Sequence, residues 1–564
     1  MTPEDFIYAP STVALILDNE SISIAHLEQG PGVVFSKPLS GGYTVVYVNE
    51  SDIDKVIVEP ENYTTSIYPL VLGLMGVNDL NASGILQVQR QPFLNLSGSG
   101  VLLGFIDTGI DYTNKAFIYE DGSSKIQYIW DQTIRGNPPA GCHYGSEYDN
   151  ETINRALKSE NPFEIVPHRD TVGHGTFLAS IAGSREIDGH IGAAPDAEII
   201  VVKMRRSRAF DSNRFLIPRE QENAYSSDDL MIGVQYIIDK AQELERPVAI
   251  CISVGTNLGA HDGFFKLEGY LAKIAGYTGK AICAAAGNEG TAGHHVQRRI
   301  ASTGESQAIE MRASNKHEDI YISIWNFASD RLSVAVKSPT GEIINRVPAR
   351  SGTSYKSKLI LERATVIVEY TFPVERSGGQ LTRVKILSAT PGVWTITVYG
   401  DSILDGTFHA WLPIVGFINP DTQFLSPTRY YTVVLPATSM GVITCGAYNS
   451  KDNSLYVSTS FGPSRLPSIK PDLVAPGVDV SGLYPTGPGN MSGTSVSAAI
   501  TAGASALMLQ WGIVEKNDTA MDSYRIRANL IAGCIRHEND EFPNNQWGYG
   551  RLNLYNTFRS LRPY

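Results

Sequence analysis

The 564-residue chain has little of what marks several large function classes. It has five cysteines, Cys142, Cys251, Cys283, Cys445 and Cys534, an odd number with no C-x-x-C pair. No disulfide framework or cysteine metal site is read from such spacing. Four of them lie in apolar runs such as AICIS, AICAAAG and VITCGA, where cysteine behaves as a small buried hydrophobe. Synthesis in a reducing compartment is the simplest inference. Positive charge is also short. With 46 Lys and Arg against 58 Asp and Glu, the net charge is −12, which argues against general binding to nucleic acid or an anionic membrane. The one basic knot, KMRRSR (203–208), reads as a solvated loop. No stretch reaches ~18 uninterrupted apolar residues, so no transmembrane helix is expected. The first residues, MTPEDFIYAP, are acidic and lead into no long apolar run, so no secretory signal is expected and the chain reads as made in the cytoplasm.

What is present is a large core. Apolar residues make up 42% and charged residues 18%, the balance of a globular chain long enough for three or four domains of ~150 residues. Residues 1–76 read as a small α+β unit, with TVALIL and YTVVYV as strands and a short helix in ESDIDKVIV. After the flexible LSGSG, VLLGFIDTG is a fully apolar run ended by a glycine turn, as in a buried parallel strand. Strand and helix then alternate: TFLASIAGS, AEIIVVKM, DLMIGVQYIIDKAQEL, VAICISVG, GFFKLEGYLAKIAGYTG and KAICAAAGNEG. The third of these is an amphipathic helix with Leu230, Val234, Ile237, Ile238 and Ala241 on one face. The texture changes over 301–435 to short β segments such as IYISIWNF, TVIVEYTF and VWTITVYG, which predicts an inserted β sandwich or jelly roll. From 436 to 564 the α/β pattern returns. The expected architecture is α/β: a parallel sheet with flanking helices formed by 77–300 and 436–564, a small α+β N-terminal unit and an inserted β domain.

Sites in such sheets form at the carboxyl ends of the strands. Asp107 stands at the tip of the apolar strand in GFIDTGID. His174 lies between glycines in DTVGHGTFLASIAGS, Asn288 follows a buried strand in AAAGNEG, and Ser495 opens a helix in GTSVSAA. Each has a plain structural alternative: a turn aspartate, a packed histidine, a turn asparagine, a helix-starting serine. Together they supply what amide hydrolysis by an alcohol needs: a nucleophile, a base, a group that orients the base, and oxyanion donors, one of them the Ser495 amide at a helix N-terminus. Other apparent motifs carry less. GSGVLLG has its glycines ahead of a strand, not behind one, which is wrong for dinucleotide binding. The pair His294–His295 reads as a loop, and His168 lacks the glycine context of His174. No metal site and no cofactor are expected.

In this order, DTGID, GHGTFLASIAG, AAAGNEG and GTSVSAA resemble the subtilisin family of serine proteases, as do IGAAPDAEIIVVKM, KPDLVAPG and WGYGRLNL. The resemblance covers most of 85–290 and 436–555. It implies that Ser495 is the nucleophile, His174 the base and then acid, Asp107 the orienting group and Asn288 the oxyanion donor. It implies that Ser253, Val254 and Gly255 line the cleft and pair with an extended peptide, while Ala284, Ala285, Ala286 and Gly287 wall the pocket for the residue before the cut. Asn288 and Ser495 are 207 positions apart, and the β-rich insertion fills that gap. The insertion, the N-terminal unit and the lack of a signal are similar to the Csp proteases of clostridial spore germination. That similarity implies a prodomain that is cut near LGLMGVND (72–79) and stays in the cleft, spore association, and a protein substrate, the zymogen of a spore-cortex hydrolase. A binding-only sensor or scaffold with a blocked cleft, and a broad-specificity protease, are the alternatives. The segment REIDGHI (185–191) is shorter than the calcium loop of secreted subtilisins, so that site is not expected. The long segment 204–228 falls at the cleft's edge, where it is expected to narrow substrate choice, and the β domain is expected to brace the prodomain against the catalytic domain.

Overall fold

A computed structural model describes residues 2–18, 32–53, 67–74, 81–466, 468–538 and 540–561. At its centre is an eight-stranded sheet. Its order is Leu473–Pro476, Ile443–Tyr448, Lys280–Ala285, Val248–Ile252, Leu102–Asp107, Glu198–Lys203, Ile126–Asp131 and Ser146–Asp149. Every pairing is parallel except the last. The inner strands read as apolar runs because both faces are covered. Leu103, Phe105, Cys251 and Cys283 face the helices His174–Gly183 and Thr494–Leu509. Leu102, Ile106, Ile250 and Ile252 face the helices Ser227–Glu243 and Lys266–Ala275. The period-2 alternation of a strand thus divides one apolar run between two cores.

The N-terminal unit completes the second core. A helix, Pro3–Tyr8, precedes three antiparallel strands ordered Thr12–Asp18, Tyr43–Asn49 and Val33–Leu39. Of ESDIDKVIV, Glu50–Asp52 form only a short 3-10 turn, and residues 54–58 lie outside the described residues. Phe6, Ile16, Tyr43 and Tyr47 join the core formed by the helices beneath. The helix Ser227–Glu243 is therefore buried beyond the one face its periodicity defines. Met231, Ile232 and Tyr236 are as enclosed as Leu230 and Ile237, and Gln235 accepts a hydrogen bond from the Ser40 amide at 2.7 Å.

The basic knot is not a solvated loop. Arg205 and Arg208 keep only 5% and 6% of their surface. Arg205 donates to Asp229 at 2.9 Å and to the Ile7 carbonyl at 2.9 Å, and Arg208 donates to Asp228 at 2.9 Å. Acids twenty or more residues downstream neutralise it in space, and the N-terminal unit covers the pairs.

The insertion forms two β-sheets over one core that includes Ile322, Val334, Val384, Trp394 and Ile396. The six-stranded sheet begins with His295–Arg299 and the five-stranded sheet ends with Gln423–Phe424. The sandwich also touches the N-terminal unit: Arg376 pairs with Asp18 at 2.8 Å and with the Tyr43 hydroxyl. Lys266 joins all three parts, donating to the Ile16 carbonyl at 3.0 Å and pairing with Glu375 at 3.2 Å. One helical stretch, Thr494–Val514, is long and apolar enough by composition to cross a membrane, but 89% of its most apolar window is buried inside the protein. It is the central core helix, packed against the parallel strands.

Candidate active site

Asp107 ends a central strand, His174 and Ser495 start the two helices on one face, and Asn288 follows the strand Lys280–Ala285. Thus the ends of three elements and one strand-to-loop turn supply the four residues. His174 Nδ1 lies 2.8 Å from Asp107 Oδ1 and 2.9 Å from Oδ2. A carboxylate only accepts, so the ring proton sits on Nδ1 and Nε2 is the basic nitrogen. The glycine after His174 is required by contact: a Cβ on Gly175 would collide with the Gly109 carbonyl and sit 3.2 Å from Asp107.

Asp107 has further support that its motif does not announce. Ser253 donates its hydroxyl to Asp107 Oδ2, and the Thr108 amide donates to Oδ1 at 2.7 Å. Burial alone would raise this carboxyl's pKa. The His174 ring and these donors hold it below the usual carboxylate range. Ser253 was expected to line the cleft; it also fixes the acid. Asp170 is a second unannounced brace. It accepts from Thr108 Oγ1 at 2.8 Å, from the Gly173 amide at 2.8 Å and from the Thr176 amide at 2.9 Å, tying the Asp107 turn to the start of the His174 helix. Its place four residues before His174 was the one available signal.

Ser495 is fully buried and donates to the Ser253 carbonyl at 3.3 Å. Asn288 Oδ1 accepts from the Thr494 amide at 3.2 Å and from Thr494 Oγ1 at 3.3 Å. The amide can only donate, so this bond fixes the side-chain orientation and leaves Nδ2 as the free donor end. Thr494 Oγ1 also accepts from the Gly287 amide at 3.1 Å, so one threonine joins the serine and asparagine motifs. Ala284, Ala285 and Ala286 are buried, and the Ala286 amide donates to Cys445 O at 2.9 Å. Gly287 turns the chain at φ 112°, where a Cβ would meet Ser460 Oγ at 2.7 Å and Val434 at 2.8 Å.

The cleft holds a strand of the N-terminal unit. Val71–Leu74 lies between two edges: Leu74 and Gly73 pair antiparallel with Val254 and Gly255, and Val71 and Leu72 pair with Ser226 and Tyr225. Leu70 extends the second edge. Its carbonyl accepts from the Ser227 amide at 2.7 Å and its amide donates to Ser227 Oγ at 2.7 Å. The expected processing window, 72–79, runs into residues 75–80, which lie outside the described residues. The segment 204–228 supplies the Tyr225–Ser226 edge, while its Phe215 packs on Tyr321 and its Gln221 donates to the Gly416 carbonyl, so it also reaches the sandwich.

The other histidines are enclosed. His294 and His295 are not in an exposed loop: His294 Nδ1 lies 2.7 Å from Glu289, and His295 opens a sandwich strand, 3.1 Å from His409. His168 Nδ1 lies 2.7 Å from Asp131, and its Nε2 accepts from the Ile110 amide at 3.1 Å. Among the described residues, no group of three or more His, Cys, Asp or Glu side chains is arranged to hold a metal ion.

The subtilase family model matches residues 98–316 and 421–550, interrupted by the sandwich. The CspB protease of Clostridium perfringens is similar over 86% of this chain and 99% of that one, at 33% identity and a TM-score of 0.76. Among curated relatives, the PIII-type proteinase of Lactococcus lactis subsp. cremoris is 23% identical over 73% of this chain and 22% of its own length. The subtilisin-like protease SBT2.1 of Arabidopsis thaliana is 33% identical over 19% of this chain and 15% of its own. The chain thus spans about a fifth of the length of the curated relatives it matches. The matched family model covers both halves of the α/β sheet and all four expected site residues, and the chain belongs to the subtilase family of serine proteases.

Proposed function

We propose that the chain is a serine endopeptidase that cuts itself once, keeps its N-terminal unit as an inhibitory prodomain, and then acts on a restricted protein substrate. The observation that carries this is the Val71–Leu74 strand, held between Val254–Gly255 and Tyr225–Ser226 as an extended substrate would be. Ser495 attacks the carbonyl carbon. His174 Nε2 takes the hydroxyl proton and returns it to the leaving amine. Asp107 holds the ring and favours the imidazolium, and Asn288 Nδ2 with the Ser495 amide receives the oxyanion.

The register puts Leu74 opposite Val254, the neighbour of Ser253, whose carbonyl accepts from Ser495. The cut is therefore expected after Met75. The test is denaturing intact-mass spectrometry of the wild type beside Ser495→Ala. Two pieces split at Met75–Gly76 in the wild type and one whole chain in the variant support the reading. A wild type that stays whole and takes no fluorophosphonate label contradicts it.

Similarity to the CspB protease supports a germination role, with the zymogen of a spore-cortex hydrolase as substrate and a protein packaged in the spore after synthesis inside the mother cell. Selective cleavage of that zymogen with casein left intact is the expected result; the reverse favours a broad protease. The depth of prodomain docking, with Lys266 and Arg205 donating to its carbonyls, favours one further reading. In it the cleft stays closed after self-cleavage and the protein works by binding. A processed protein whose Ser495 resists the probe would fit that sensor.

A further inference from the structure

We propose that the β sandwich forms part of the substrate groove, building with the catalytic domain a subsite for the side chain six residues ahead of the cut bond. This rests on the protease reading above. Leu70 is buried in a pocket whose catalytic side is Phe215, Leu258 and Phe265 and whose far side is Tyr321, Trp325 and Leu381 of the sandwich. The rings of Phe215 and Tyr321 meet edge to face at 5.6 Å, closing the seam between the two domains. The two Leu70 backbone bonds to Ser227 fix how deep its side chain sits.

Any substrate that adds as a strand between the two cleft edges is held in the same register. Extended chain advances about 3.3 Å per residue, so its residue at this position meets the same pocket. The sandwich therefore reads the residue next to Val71, at the outer end of the second cleft edge. Leucine does not fill the site: a cavity of about 20 Å³ remains, room for about one water. Trp325 Nε1 and Arg383 Nη1, on the same wall, have no hydrogen-bond partner among the described residues. The subsite selects a side chain of leucine or methionine size, and glycine or alanine forfeits the contact.

Two measurements test this. Self-cleavage, followed by intact mass, is expected to be about tenfold or more slower in Leu70→Ala than in the wild type. Cleft occupancy is read from the rate at which a fluorophosphonate labels Ser495 in the processed Leu70→Ala protein. The peptide YPLVLGLM is expected to protect at about tenfold lower concentration than YPAVLGLM, and Tyr321→Ala on that background should shrink the difference below threefold. Equal protection by the two peptides overturns the proposal. Leu381→Ala, which leaves the cleft segment untouched, covers the case in which Leu70→Ala does not fold. Its processed form is expected to label about tenfold faster than the wild type, and an unchanged rate in a folded protein counts against the subsite. A wild type that neither processes nor labels is a distinct result: it removes the protease reading and the subsite with it.

Discussion

Two Asp–His pairs lie close together in this molecule, in different surroundings. In one, His174 Nδ1 is 2.8 Å from Asp107; in the other, His168 Nδ1 is 2.7 Å from Asp131. By distance they are the same device. They differ at the second ring nitrogen. His168 Nε2 accepts the Ile110 amide, a bond that only a neutral ring protonated at Nδ1 can make, and its side chain is sealed from solvent. His174 stands at a helix start beside the cleft and keeps 6% of its surface. An aspartate makes a histidine a better base only where the other nitrogen faces a proton to be moved. Where that nitrogen is taken up by backbone, the same pair is a brace. Here it braces Ile110, three residues beyond Asp107.

Alanine at each histidine separates the two roles. His174→Ala is expected to slow self-cleavage by about 10³-fold or more in a protein that still folds, read by intact mass against time. His168→Ala should act on stability first. It leaves the sealed Asp131 carboxylate with Thr133 and with Lys203 at 3.9 Å, and leaves the Ile110 amide without its acceptor. Loss of about 3–5 kcal/mol in a urea midpoint experiment is expected, with self-cleavage persisting in whatever fraction folds. A His168→Ala protein of unchanged stability would show that the brace is idle.

The contrast also explains what the sequence discloses. Asp107, His174, Asn288 and Ser495 each sit in a local pattern, an apolar strand ending in a turn or a small-residue helix start, so a short window suffices to propose them. The parallel sheet was legible for the same reason, since burial on both faces writes unbroken apolar runs. Asp131 and His168 are 37 positions apart and neither has a local signature. The support of Asp107 by Ser253 spans 146 positions, and the pairing of Arg208 with Asp228 turns a seemingly solvated basic knot into a buried one. Such contacts are created by strand order and domain docking. Nothing in a window of ten residues distinguishes a charge that will meet its partner across an interface from one that will meet water.

A third histidine pair, at the root of the sandwich, removes the carboxylate altogether. His295 and His409 lie 3.1 Å apart, both buried. Burial, with the Arg465 and His261 charges adding to it, pushes the His409 pKa down from 6.5 to about 3. The unfolded chain therefore binds a proton below pH 6.5 that the folded chain refuses, and this site's contribution to stability falls as pH drops from 6.5 towards 3. The slope is about 1.4 kcal/mol per pH unit. Asp107 and Asp131, held below their ordinary values, contribute stability above the unfolded carboxylate range and lose it only as pH falls through their folded values. Urea midpoints between pH 6.5 and 4 should thus flatten in His409→Asn by about that slope. Parallel curves for the two proteins would place the acid sensitivity elsewhere.

The smallest effect is expected where an ion pair is least enclosed. Arg376 reaches from the sandwich to Asp18 at 2.8 Å, but its side chain is a quarter exposed, whereas the Lys266 side chain that pairs with Glu375 is fully buried. Solvent screens the first pair, and partly exposed pairs are worth about 1 kcal/mol or less. Arg376→Ala should therefore raise the rate at which the processed protein takes a fluorophosphonate by no more than about fivefold. Lys266→Ala removes both the donor to the Ile16 carbonyl and the ion pair to Glu375, so it should open the cleft further. If both variants label at the wild-type rate, the sandwich holds the N-terminal unit through the shape of the groove around Leu70 and not through charge. Then Leu381→Ala is the change that should free it.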